Sequence, residues 1–276
     1  KLTGLFVSSG ATLQVKESNG SVRPWGDARA KQIWKKPMAV MVDRYSASAS
    51  EIFAGAIQDY QRGIIIGQKT FGKGTVQKLD NLSSGQIKIT ESKFYRITGA
   101  GMQSKGIHPD ITLPSTWDIE EIGESSYDTA LPWDEIKPVR FKKFSMGPTL
   151  ISKLNDEHLI RVNQSPNLQY ILDIRKRYEI QKNKKVISLN LTNRRVEKEE
   201  RQSWALDIEN KRRASLNLET FNSYKAMKDF NDAKDTEDDQ RDSEIDVDND
   251  YLLNEGMQIL SDYAIFNQNI YLSKAS

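Results

Sequence analysis

Cysteine is absent from the 276 residues, which excludes disulfides and thiol catalysis and leaves the redox compartment unread. Histidine occurs twice, as His108 and His158, too little to build a conventional metal site. No apolar run approaches the roughly 18 residues of a membrane span. A net charge of +2 gives no bulk electrostatic reason to bind nucleic acid. The opening KLTGLFVSSG has neither an initiator Met nor a signal-peptide pattern, so a segment of a longer protein is expected and targeting is unreadable. What is present is a polar but not disordered composition, 37% hydrophobic and 28% charged, enough for one large or two modest domains.

The first part is punctuated like an α/β unit. Residues 38–42 (MAVMV) form an apolar run that predicts a buried strand, and residues 63–67 (GIIIG) a second. Between them Ile52, Phe53, Ala56, Ile57 and Tyr60 recur at helical spacing. Half-buried strands are expected over 75–79 and 86–98, and a short one at 111–113. Strand, helix, strand predicts a crossover with its helix packed on the sheet. Beyond about Pro114 the pattern turns helical: 149–182 with a break near Pro166, 194–214, and 249–267. VISLNL at 186–191 predicts a short strand. The acidic run 232–250 predicts a solvated loop. Within it Asp246, Asp248 and Asp250 have the 1-3-5 spacing of a calcium loop, but Tyr251 stands where Gly is needed and Met257 where the bidentate Glu is needed.

Two motifs carry chemistry, and each has a rival reading. In DRYSASASE (43–51), Ser48 followed by Glu51 is a capping box ahead of an apolar helical stripe, which by itself accounts for the serine. The same position, at a helix N-terminus after a buried strand, also suits a nucleophile, because free amides and the positive dipole end favour a developing oxyanion. Such a serine needs a base. His158 is expected on a surface helix and His108 in a turn or strand entry. Lysine is the other option, and TFGKGTVQ offers Lys73 between two glycines. A lysine at its ordinary pKa of about 10.4 is protonated at neutral pH; lowering it to roughly 7–8 by burial away from carboxylates costs about 4 kcal/mol. In an extended segment Lys73 and Gln77 share a face, so Gln77 can orient the amine without adding charge. The rival is nucleotide binding: GQKTFGKG (67–74) fits GxxxxGK after a strand. However, Gly74 replaces the magnesium-binding Ser or Thr, and a strand-like stretch follows where a P-loop needs a helix. A glycine-rich hairpin with an exposed lysine is the third possibility.

The ordered set VDRYSASASEIFAGAIQDY, GQKTFGKGTVQ and FYRITGAGMQSKGIHPDITLP resembles the carboxyl-terminal processing peptidases. TALPWDEI and the charged helical extension resemble their tail-specific branch. The resemblance implies a partial crotonase-like (ClpP/crotonase-type) α/β core over 1–120 and a mainly helical extension over 121–276. It implies Ser48 as nucleophile, Lys73 as general base, Gln77 as the residue orienting the lysine, and the Ala49 N–H as one oxyanion donor, with no metal or cofactor. It further implies a periplasmic serine endopeptidase acting on proteins with flexible apolar C-terminal tails, served by an upstream PDZ domain and possible adaptor proteins, with no nucleic-acid partner. The family's second oxyanion donor, a glycine, precedes the position of Lys1, so these 276 residues are expected to be inactive alone. A non-catalytic scaffold that binds partners is the alternative.

Overall fold

The computed structural model describes residues 1–27, 31–118, 121–240, 247 and 250–275. The chain divides into two compact units. One comprises Lys1–Leu113, Trp117–Glu157 and Gly256–Ser276, and the other Pro114–Thr116 and His158–Glu255.

The first unit holds two sheets. Strands β1 (Ala11–Glu17), β2 (Val22–Gly26), β5 (Thr75–Asn81) and β6 (Gln86–Tyr95) form an antiparallel sheet in the order β2-β1-β6-β5. Strands β3 (Ala39–Val42), β4 (Ile64–Gly67) and β7 (Ile111–Thr112) form a parallel sheet in the order β3-β4-β7. Helix α1 (Ala49–Asp59) connects β3 to its parallel neighbour β4, as a parallel pair requires. All four residues of β4 are buried. Together with Ala54, Ile57 and Tyr60 from the α1 segment and Phe94, Ile97, Met102 and Ile107, Ile65 builds one apolar core. This core anchors the C-terminal ends of β3 and β4, from which the DRYSASASE and TFGKGTVQ segments emerge.

Several expectations are corrected. Strand β6 ends at Tyr95 rather than at residue 98, because the chain turns there with Gly99 N–H donating to Arg96 O. Strands β1 and β2 lacked an alternating apolar signature: β2 is exposed along its whole length, and β1 buries only Gln14 and Val15.

Helix α2 (Leu150–Gln164) precedes α3 (Pro166–Lys182). In the second unit α3 begins with Pro166 in its first turn and Ser165 Oγ accepting from Leu168 N–H, which is why the helical pattern breaks there. Val162, Leu168 and Ile171 pack with Tyr251 and Leu252. Residues 186–190 are not a strand: Val186 is 78% and Leu189 97% exposed, so no described residue covers them. Instead Asn190 caps α4 (Leu191–Ser215), its Oδ1 accepting from Thr192 and Asn193 N–H. The first half of the acidic run is helix, not loop, since α5 spans Tyr224–Gln240. That segment contains no Gly or Pro, and Lys225–Asp229 and Lys228–Asp232 pair at i,i+4, the spacing that supports a helix. Asp246 and Asp248 lie outside the described residues. His158 is not on a surface: it is 1% exposed, with Nδ1 2.8 Å from Glu255 Oε1, which Arg161 Nε also reaches at 3.0 Å. No helix among the described residues is long and apolar enough to cross a membrane.

Candidate active site

The turn after β3 is folded by its own polar side chains. Asp43 Oδ1 accepts from the N–H groups of Tyr45 and Ser46 and from Ser46 Oγ–H, at 2.8–3.0 Å. Arg44 is buried beneath it, its Nη1 donating to the Thr70 carbonyl. Ser46 O in turn accepts from Phe71 N–H at 3.0 Å. The serine turn and the glycine loop are therefore joined through backbone on one side and through Arg44 on the other.

Ser48 is the N-cap of α1 and has φ +56°, ψ −112°. A non-glycine residue in that region costs on the order of 1–3 kcal/mol and persists only where its surroundings hold it. What holds it is Glu51. Glu51 is fully buried, and its Oε2 accepts from Ser48 N–H at 2.8 Å, the reciprocal arm of the capping box. The same oxygen accepts from Lys73 N–H at 2.9 Å. Its Oε1 accepts from Gly72 N–H at 2.7 Å and from Thr70 Oγ1–H at 2.5 Å. One carboxylate thus ties the backbone of Ser48 to that of Lys73. Spacing alone revealed only the local half of this role; the contacts to Thr70, Gly72 and Lys73 cross about twenty residues of sequence. Ala49, the first helical residue, is exposed, and its N–H is among the first-turn amides that the helix itself does not use.

The glycines of FGKG have local causes. Gly72 sits at φ +91°, a region open to glycine, and its carbonyl accepts from Ser104 N–H at 2.8 Å. At Gly74 a Cβ would collide with the Gln103 backbone, while Gly74 O accepts from Phe94 N–H at 2.9 Å. The loop is thereby clamped against β6 and residues 103–104. Its amides are not available to a phosphate: Gly72 and Lys73 N–H both point at the chain's own carboxylate, and a strand, β5, follows. The P-loop reading fails on this geometry.

Ser48, Lys73 and Gln77 line one cleft of about 680 Å³. Its other walls combine apolar side chains, among them Leu13, Trp25, Ile52 and Phe94, with the charged side chains of Glu17, Lys88 and Glu91; of these only Ile52 stands out in the sequence, through its helical stripe. Lys73 forms no ion pair among the described residues. No hydrogen bond joins Lys73 to Ser48 Oγ or to Gln77 among the described residues; Gln77 stands on an exposed stretch of β5, where water competes for its amide. Neither histidine lines this cleft. His108 is exposed, and burial of its surroundings followed by the charge of Lys69 holds its pKa below the ordinary value. The described residues contain no group of three His, Asp or Glu arranged to hold a metal.

Both parts of the chain match models of known families. Residues 1–113 match the model of peptidase family S41, and residues 117–264 match the model described as the C-terminal domain of tail specific protease. The tail-specific protease of Haemophilus influenzae is 36% identical over the whole of this chain, which covers 39% of that relative. A probable CtpA-like serine protease of Staphylococcus aureus is 35% identical over 41% of this chain and 23% of the relative. The carboxy-terminal-processing protease of Bartonella bacilliformis is 45% identical over 29% of this chain and 18% of its own length. This chain therefore spans less than half the length of these relatives. It belongs to the carboxyl-terminal processing peptidases of family S41, in their tail-specific protease branch.

Proposed function

We propose that this chain carries the Ser–Lys dyad of a serine endopeptidase. The observation that supports it most directly is the strained Ser48 at the head of α1, held by the same buried carboxylate that holds the backbone of Lys73, with both side chains facing one cleft. Lys73, as the free amine, takes the proton of Ser48 Oγ as that oxygen attacks the peptide carbonyl carbon. The resulting oxyanion accepts from Ala49 N–H. Lys73 returns the proton to the leaving nitrogen, the C–N bond breaks, and an ester on Ser48 remains. Water, deprotonated by the same amine, attacks the ester and releases the carboxylate product and Ser48. Gln77 orients the lysine once the cleft is occupied, since catalytic hydrogen bonds commonly tighten only in the substrate complex.

The finer parts of the reading rest on family resemblance. Residues 1–120 form a partial crotonase-like core and 121–276 an extension. The substrates are proteins with flexible apolar C-termini, recruited in the periplasm through a PDZ domain and possible adaptors. The test is degradation of an unfolded, tail-bearing protein by a full-length tail-specific protease that carries this chain. Ser48→Ala and Lys73→Arg should each abolish it, since a guanidinium does not deprotonate. Unchanged degradation by Ser48→Ala would instead favour a non-catalytic scaffold.

A further inference from the structure

Lys73, Thr75 and Gln77 also line a second cleft, of about 460 Å³. Its far wall is built by residues 124–131, which lie within the stretch matched by the C-terminal domain model. That segment is fastened to the glycine loop at several points. Glu124 N–H donates to Phe71 O at 2.9 Å. Gln103 bridges the two, its Oε1 accepting from Gly74 N–H at 2.9 Å and its Nε2 donating to Glu124 Oε1 at 3.0 Å. The Phe71 and Tyr127 rings lie 6.5 Å apart. Phe71, Tyr127, Ala130 and Leu131 give this cleft an apolar side, yet Tyr127 is 57% and Leu131 41% exposed. Large side chains left this open are not core; they are surface that an occupant can cover.

We infer that residues 124–131 form a substrate subsite: the second cleft takes an apolar side chain of the extended polypeptide, on the side of the scissile bond opposite the Trp25 and Phe94 cleft. This rests on the peptidase reading above. The occupant follows from continuity. The two clefts meet at Lys73, Thr75 and Gln77, which alternate along one face of the chain as successive odd residues do in an extended segment. A polypeptide whose carbonyl reaches Ser48 while its leaving nitrogen reaches Lys73 must continue past the lysine, and the wall it meets there is Tyr127 and Leu131. Glu124 is held by Gln103, so the recognition offered is apolar contact rather than charge. The extension is thereby a specificity element of the cleft and not only an appendage.

The experiment uses the full-length protease, into which this chain brings no thiol of its own. In a Ser48→Ala background, Leu131→Cys and, separately, Trp25→Cys are labelled with a benzophenone maleimide and irradiated with a reduced, alkylated unfolded protein. Crosslinks from position 131 should fall within about three residues of the bonds cut by the wild type, on the side opposite those from position 25, an extended residue spanning about 3.3 Å. In an active background, Leu131→Trp should lower cutting beside large side chains on that side by about tenfold or more relative to Gly or Ala. Crosslinking at position 25 without any at 131, or an unchanged cut-site distribution for Leu131→Trp, overturns the subsite. Should the wild type cut nothing while position 131 still crosslinks competitively, the subsite stands as a binding groove and the peptidase reading falls.

Discussion

Glu51 allows the sharpest test of how the site is held. Glu51→Gln keeps shape and volume but turns one carboxylate oxygen into an amide nitrogen. Whichever oxygen is replaced, a donor then faces two donors: Ser48 and Lys73 N–H at the Oε2 position, or Gly72 N–H and Thr70 Oγ1–H at the Oε1 position. Hydrogen bonds to a charged group contribute about 1.5–3 kcal/mol each. Losing two, with the remaining pair reduced to neutral strength, amounts to about 3–5 kcal/mol once non-additivity within one network is allowed for. Against a total stability of about 5–15 kcal/mol that loss is large, and it falls on the strained φ of Ser48 and on the loop carrying Lys73. Urea unfolding of the variant should show a midpoint lowered with unchanged slope. At a temperature where both proteins are folded, kcat/KM of the full-length enzyme on an unfolded substrate should fall about 100-fold or more, the scale of a misplaced reacting group. Glu51→Asp, one methylene shorter, should recover charge but not reach, and so rescue stability more than rate. Wild-type stability together with wild-type kcat/KM in Glu51→Gln would refute the claim that this carboxylate holds the two segments together.

Other perturbations test separate parts of the molecule. Gly74→Ala, whose new Cβ meets the Gln103 backbone, should destabilise by about 1–3 kcal/mol and weaken the Phe94–Gly74 bond, read as faster amide exchange at Phe94; unaltered exchange would count against the clamp. Burial holds the Asp110 pKa above the ordinary carboxylate value, against the opposing bonds from Ile65 N–H and Gln58. The folded state then keeps a proton that the unfolded state has lost, so Asp110 contributes stability that is present in acid and declines as pH rises from the unfolded value through the raised one. Urea midpoints over that window should therefore fall with pH more steeply in wild type than in Asp110→Asn; a constant difference between the two would contradict this sign. In the second unit Glu255→Ala strips the carboxylate shared by buried His158 and Arg161, for which a loss of about 3–5 kcal/mol is expected; a midpoint equal to wild type would show the network to be idle.

Legibility tracked the range over which each feature is determined. The helix at 49–59, the strands 39–42 and 64–67, and the placement of Ser48 and Lys73 after those strands all follow from runs of a few residues, whose periodicity or turn chemistry is local. The burial expected of both strands holds throughout only for 64–67, since in 39–42 Val42 alone is buried and Met41 is exposed. Strand β2 was illegible because Val22 to Gly26 is exposed throughout, so no burial pattern was imposed on its residues. VISLN misled for the converse reason. It has the composition of a strand, but a strand needs a neighbour, and composition does not report whether one is present. The acidic segment misleads because a run of carboxylates has the composition of a solvated loop, whereas the lysines at 225 and 228 place cations one turn before Asp229 and Asp232. Of the site, Glu51 was visible as a cap, and its second role was not. A short-range motif accounted for the residue so fully that no unexplained feature was left to prompt a search for distant partners. His158 was misplaced for want of Glu255, ninety-seven residues away.

The competing readings of the two motifs come together in that one carboxylate. A capping glutamate and a glycine-rich loop are each ordinary when separate: the first needs an amide at its own helix start, and the second offers amides to an anion. Folding brings the anion of one to the amides of the other. The loop therefore resembles a phosphate cradle for a physical reason, since it is an anion-binding turn, but the anion is Glu51 and the cradle is filled from within the chain. A carboxylate satisfied by three N–H groups and a hydroxyl has no need of an ammonium partner, which leaves Lys73 held by its backbone while its side chain lines the cleft without an ion pair among the described residues. An aspartate, shorter by one carbon, could cap the helix but not span both segments. The SASASE serine and the FGKG lysine thus depend on each other through a residue that need not touch a substrate.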